Sequence, residues 1–262
     1  MAAMEILFVT LVALAGGALP LLIRWTDRHL HTALALSTGI FLGAVFLHVL
    51  PALSEMSLSS VVTQPIPEGS HPGVDLSHVH GGDSWLWLCV LAGVLAVYLI
   101  ESLVLRTHDH DEAHQHRAVS LAALVGLGVH ALTAGIGYAA AQSHTHVGGA
   151  LLFAILAHKG FEAFSLTTVF QLAGAERKSI LWMVVGFAAI TPLGMLLGES
   201  ISAQMGELGM GVLTALAAGT FLFVCLCELL PEVFHHREDS WLRVTLLVIG
   251  IAMMMAFEEL GH

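Results

Sequence analysis

The sequence predicts an all-α integral membrane protein of eight transmembrane helices, in a 3+2+3 arrangement with an internal inverted repeat. Three observations carry this expectation. Of 262 residues, 56% are hydrophobic and only 11% are charged, against about 25% charged in a soluble domain. With a mean hydropathy of +0.83, the chain has too few ionic side chains to cover a water-facing surface. Apolar stretches recur at about 20 residues, the length that crosses roughly 30 Å of hydrocarbon. The basic residues, finally, are confined to alternate connections between those stretches.

The spans fall at about 4–25, 31–53, 84–105, 118–141, 149–173, 180–198, 210–233 and 241–257. The first is too long for the apolar region of a signal peptide and lacks a basic start, so it is read as a span. Arg24 and Arg28 lie between helices 1 and 2, Arg106 and Arg117 between 3 and 4. Arg177 and Lys178 lie between 5 and 6, Arg237 and Arg243 between 7 and 8. The other three connections contain no Lys or Arg. Eight of nine basic residues therefore share one face, which the positive-inside rule makes cytoplasmic. Both termini are then extracellular. One transmembrane domain, 1–262, accounts for the whole chain, with a His-rich cytoplasmic loop at about 106–117.

Composition also excludes. Nine Lys+Arg against twenty Asp+Glu leave no basic patch for a nucleic acid. Cys89, Cys225 and Cys227 all sit in apolar stretches, so no disulfide framework is expected.

The ninth basic residue, Lys159, falls inside helix 5, and the chemistry begins there. His48 on helix 2, His130 on helix 4 and His158 on helix 5 are also intramembrane. An ionisable group in lipid costs at least about 2.5–3.5 kcal/mol, so each is a functional candidate. Glu162 follows His158 at i+4, which places imidazole and carboxylate on one helix face. His130 sits at equivalent depth on helix 4, beside Gly126, Gly128, Ala131, Ala134, Gly135 and Gly137, a small-residue face suited to close helix approach. A single such histidine reads equally well as a hydrogen-bonded structural group. Two histidines and a glutamate at mid-depth of consecutive helices point instead to a divalent metal. That donor set suits Zn²⁺, and Fe²⁺, Mn²⁺ or Cd²⁺ less selectively. Glu228 and Glu232 flank Pro231 on helix 7.

An internal repeat joins these helices. Residues 38–52, TGIFLGAVFLHVLPA, align without gaps on 218–232, AGTFLFVCLCELLPE. Helices 2 and 7 run in opposite directions, and helices 4 and 5 echo each other more faintly (VHALTAG against AHKGFEA). Inverted repeats around Pro- or Gly-interrupted helices are typical of secondary transporters with a midplane site.

The remaining histidines lie in loops. The tract HDHDEAHQH, 108–116, is either a weak divalent-metal binder or a solvated linker. His71, His78 and His80 with Glu55, Glu68, Asp75 and Asp83, and then His144 and His146, line the outer side. Acids without bases there would concentrate cations, although most of that stretch reads as a linker. Cys225 and Cys227 face different sides of their helix, and the methionines at 253–255 read as lipid-facing or packing residues.

These residues resemble the ZIP (Zrt-/Irt-like protein) family of divalent-metal importers. HKGFEAFSL (158–166) is similar to the helix 5 motif of animal-type members, and VHALTAG (129–135) to the helix 4 motif. FLHVLP and CELLPE resemble the polar-x-x-Pro ends of helices 2 and 7. The resemblance implies zinc, or Fe²⁺, Mn²⁺ or Cd²⁺, as a substrate carried into the cytoplasm by alternating access. It also implies a primary metal site at His130, His158 and Glu162. His48 would stand on the extracellular entrance path and Glu228 at a second, cytoplasm-side position. Two departures follow. Ala134 stands where many members carry a carboxylate. Lys159 stands where two-metal members carry an acid, so a single ion is implied, with Lys159 expected to pair with Glu228. Neutral His and ionised Glu bind the ion, so acid pH should weaken binding.

The partners expected are the ion and the lipid bilayer of a bacterial inner membrane or a eukaryotic plasma or organelle membrane; a homodimer is compatible. No enzyme activity is expected. The rivals are an intramembrane zinc hydrolase, since three ligands and water also make a catalytic shell, and a transport-inactive metal sensor.

Overall fold

A computed structural model of the chain describes residues 2–23, 25–54, 84–105, 112–142, 145–234 and 239–261. Among them there are eight helices and no strand: α1 (Ala2–Leu22), α2 (Asp27–Ser54), α3 (84–105), α4 (Glu112–Ala141), α5 (Thr145–Leu172), α6 (Arg177–Gly206), α7 (Leu208–Val233) and α8 (Ser240–Gly261). Seven are long and apolar enough to cross a membrane. The eighth, α5, carries His158, Lys159 and Glu162, whose polarity interrupts its apolar run. Large apolar side chains such as Leu103, Trp182 and Trp241 point outward and are 78%, 69% and 86% exposed, a surface suited to lipid rather than water.

Local chemistry sets the ends. Thr26 caps α2 by accepting from the His29 N–H, and Asp27 lies in its first turn, where negative charge favours the helix dipole. The chain leaves α5 through Gly174 at φ 68, with the Ala175 N–H bonded back to the Phe170 carbonyl, a Schellman ending. Helices α6 and α7 meet without a loop at Gly206, whose φ of 63 and ψ of −176 lie in a region essentially restricted to glycine.

The inverted repeat is visible in the backbone. Ala44–Val49 in α2 and Val224–Leu229 in α7 are both π-helical, and they align with each other in the repeat. Each precedes a proline, Pro51 or Pro231, which has no N–H to donate and crowds the carbonyl four residues back. The preceding turn widens in response: Leu50 and Leu230 donate to the carbonyls of Val45 and Cys225, five residues back. Packing follows the same pairing. Helix α2 packs on α8 as α7 packs on α3, and α1 on α5 as α6 on α4. Each contact passes through glycines in backbone contact: Gly39 with Gly250, Gly219 with Gly93, Gly16 with Gly160, and Gly135 with Gly194. Without side chains to hold them apart, the helices approach closely, and lipid supplies no hydrophobic force to replace that packing. The core of Phe41, Leu127, Leu166, Phe187 and Phe221 lies between α2, α4, α5, α6 and α7.

Candidate metal centre

One group of three potential ligands stands out among the described residues: His130, His158 and Glu162, all buried, with donor atoms within 4.8 Å of one another. His158 and Glu162 come from successive turns of α5, and His130 faces them from α4. Glu162 Oε1 stands 3.4 Å from His130 Nε2 and 3.4 Å from His158 Nε2. These separations exceed the usual N–H···O distance of about 2.9–3.0 Å. These two edges fall in the range of about 3.3–3.6 Å expected between ligands of a tetrahedral zinc ion with bonds of about 2.0–2.2 Å. The structure therefore brings together the three residues that the sequence grouped.

Neighbouring side chains fix the donors. Phe221 of α7 stacks on the His130 ring at 4.0 Å and 17°, and Phe41 of α2 packs on Phe221 at 5.6 Å. The two histidine rings are 5.8 Å apart. Below them, the Ser165 hydroxyl donates to Ser37 at 2.7 Å, tying α5 to α2. Ala134, one turn along α4 from His130, contributes only a methyl group, so the set is two nitrogens and one carboxylate.

Lys159 departs from expectation. Its ammonium is paired at 2.8 Å with Glu162 Oε2, not assigned to Glu228 as the sequence suggested, and it lies 4.1 Å from the centre of the Phe187 ring. The reason is local. At i and i+3 the two side chains share a helix face, and a buried cation takes the nearest carboxylate.

His48 is half-buried in the π-turn of α2, within electrostatic reach of His158. Glu228 holds the equivalent repeat position in α7 and is buried. The two thus occupy equivalent turns of the repeat. Cys225 is buried and Cys227 exposed, as their spacing implied, and Met254 is packed while Met255 is exposed. The side chains of the tract 108–116, and those of His71, His78, His80, Glu55, Glu68, Asp75, Asp83, His144 and His146, lie outside the described residues.

Two ionisable groups, Glu101 and His31, were missed by the sequence reading, and a third, Arg243, was expected in the connection between helices 7 and 8 but lies inside α8. Glu101 is buried in a π-turn at the end of α3, where it and Glu228 both lie within electrostatic reach of Cys227. His31 is buried at the start of α2; its Nδ1 meets the Asp27 carbonyl at 2.7 Å and its Nε2 faces Glu232 Oε1 at 3.3 Å. Arg243 is fully buried and donates to the Val233 carbonyl at 2.8 Å. Each sits at the edge of an apolar window, where a span boundary hides a buried charge. Their signal was simply an ionisable residue inside a predicted helix.

Comparison with known proteins reaches the same helices. The family model described as ZIP Zinc transporter matches residues 106–258. The chain is 28% identical over 282 aligned positions to Zinc transporter ZIP9-B of Xenopus laevis, covering 94% of this chain and 93% of that one. It is 26% identical to Zinc transporter ZIP2 of Mus musculus, covering 95% and 94%. A shorter match, 34% identical, covers 40% of this chain and 33% of Zinc transporter ZIP1 of Homo sapiens.

Proposed function

Because the chain belongs to the ZIP family of zinc transporters, we propose that it is a multi-pass membrane protein that carries zinc across the bilayer, with the ion held between α4 and α5. The observation that carries the proposal is the pair of 3.4 Å separations from Glu162 Oε1 to His130 and His158 Nε2, the edge length of a zinc tetrahedron. The donors are buried at mid-helix, where a desolvated cation needs protein ligands in place of its water.

The inverted repeat supports alternating access. His48 and Glu228 occupy equivalent π-turns of oppositely directed helices; in this reading His48 serves the extracellular approach and Glu228 the cytoplasmic exit, with Glu101 near it. The confinement of Lys and Arg to alternate connections orients the chain with both termini outside, and transport runs inward. Iron, manganese and cadmium are weaker candidates for the same donors. The full-length relatives are named zinc transporters, and the reading is transport rather than hydrolysis.

Purified protein in proteoliposomes, with a zinc-sensitive dye inside, tests this. Wild type should accumulate zinc, and His158→Ala or Glu162→Ala should abolish uptake, while deletion of 108–116 should only modulate it. Uptake that survives alanine at both His130 and His158 would show that the ion does not pass between α4 and α5.

A further inference from the structure

The two oxygens of Glu162 do different things. Oε1 faces both imidazoles at 3.4 Å, and Oε2 accepts from the Lys159 ammonium at 2.8 Å. Lys159 is 1% exposed, one of the largest fully buried side chains. Its ammonium is held from a second side by the Phe187 ring at 4.1 Å, a cation–π contact that strengthens on desolvation. The lysine is therefore not a loose counter-ion. It is built into the core beside the carboxylate it holds.

That arrangement constrains coordination. A carboxylate that chelates a metal through both oxygens places the ion about equally far from each. Here the ion would then crowd the ammonium already seated on Oε2, and two positive charges at that range in a low-dielectric interior repel strongly. With Oε2 occupied, Glu162 can offer Oε1 alone. The protein donors then number three, and one further water completes four-coordination, the geometry zinc accepts. Manganese prefers six oxygen-rich positions, and loses most when one carboxylate oxygen is withheld.

We infer that Lys159 is a specificity-determining positioning residue: by occupying Glu162 Oε2 it restricts the carboxylate to one oxygen and so favours zinc over ions that need a chelating carboxylate. This rests on the reading of the centre as the transported ion's site. Lys159 touches no metal ligand except Glu162 in this role, and acts through it.

Competition between manganese and zinc in proteoliposomes reads the effect as a ratio. Lys159→Met removes the donor and keeps the bulk, and should raise manganese uptake relative to zinc about tenfold, the lower end of what loss of a ligand's outer partner does to metal affinity. Lys159→Gln restores a donor to Oε2 without charge and should return the ratio toward wild type. X-ray absorption on zinc-loaded wild type tests the coordination independently of those variants. A four-coordinate shell with a single carboxylate oxygen supports the inference, and a chelating carboxylate overturns it. An unchanged ratio in an actively transporting Lys159→Met protein also overturns it. His158→Ala in the same vesicles separates the two levels: if it still takes up zinc, the site itself is misassigned, whereas a dead His158→Ala with a chelating Glu162 leaves the site standing and removes only the clamp.

Discussion

Alanine at Gly135 should damage the metal centre without touching a ligand. Gly135 lies on α4 where that helix crosses α6, and a Cβ there would come within 2.9 Å of the Met195 nitrogen and 3.0 Å of the Gly194 Cα, and closer still to the Thr191 carbonyl oxygen. All three are helical backbone and cannot swing aside. Restoring ordinary contact distances requires α4 and α6 to part by about 1 Å. His130 is five residues away on the same rigid helix, and a ligand set tolerates only about 0.2 Å of error. Overpacking of this kind costs about 1–3 kcal/mol of stability, and zinc affinity should fall about 10- to 100-fold, as when a ligand loses its supporting contacts. Gly137 supplies the control, since a Cβ there meets nothing within 4 Å; Gly137→Ala should bind zinc as wild type does and gain slightly from helix propensity. Isothermal titration with zinc and thermal melts in detergent read both quantities. If the two variants behave alike, the helix crossing does not position His130 and the reasoning fails.

Other consequences are equally direct. Gly206→Ala meets no neighbour within 4 Å, so its cost is conformational, about 1–3 kcal/mol, and should appear as a lower Tm with little change in zinc affinity. Lys159→Asp replaces the resident cation by a ligand and should raise bound zinc from about one per chain toward two, read by metal analysis of the purified protein; unchanged stoichiometry in a folded variant would show that Lys159 does not exclude a second ion. In a background lacking the native cysteines, Gln142→Cys should react with an impermeant thiol reagent added outside and Glu176→Cys should not, since they end α4 and precede α6 on opposite faces. The reverse labelling would invert the orientation and the direction of transport.

Much of the fold was legible because membrane solvation writes itself into sequence. Long apolar runs and alternate basic connections gave the helix count, and the 38–52 and 218–232 match gave the repeat that the π-turns display. His130, His158 and Glu162 could be grouped because i+4 spacing on one helix and equal depth on the next leave little freedom. What could not be read was which partner each charge takes. Lys159 has Glu162 one turn away on its own helix and Glu228 on another, and only packing decides between them. His31, Glu101 and Arg243 escaped because an apolar window ends where its hydropathy falls, whereas burial continues as far as neighbouring helices cover the chain. The meeting of α6 and α7 at Gly206 was also hidden, because a lone glycine carries no sign of its φ in the sequence.

Anomalous scattering at the zinc edge from crystals of the zinc-loaded protein addresses the metal centre most directly. One strong peak should lie about 2.0–2.2 Å from His130 Nε2, His158 Nε2 and Glu162 Oε1, with none on the Lys159 side of Glu162. A protein that transports zinc yet shows its peak away from α4 and α5 would contradict the account.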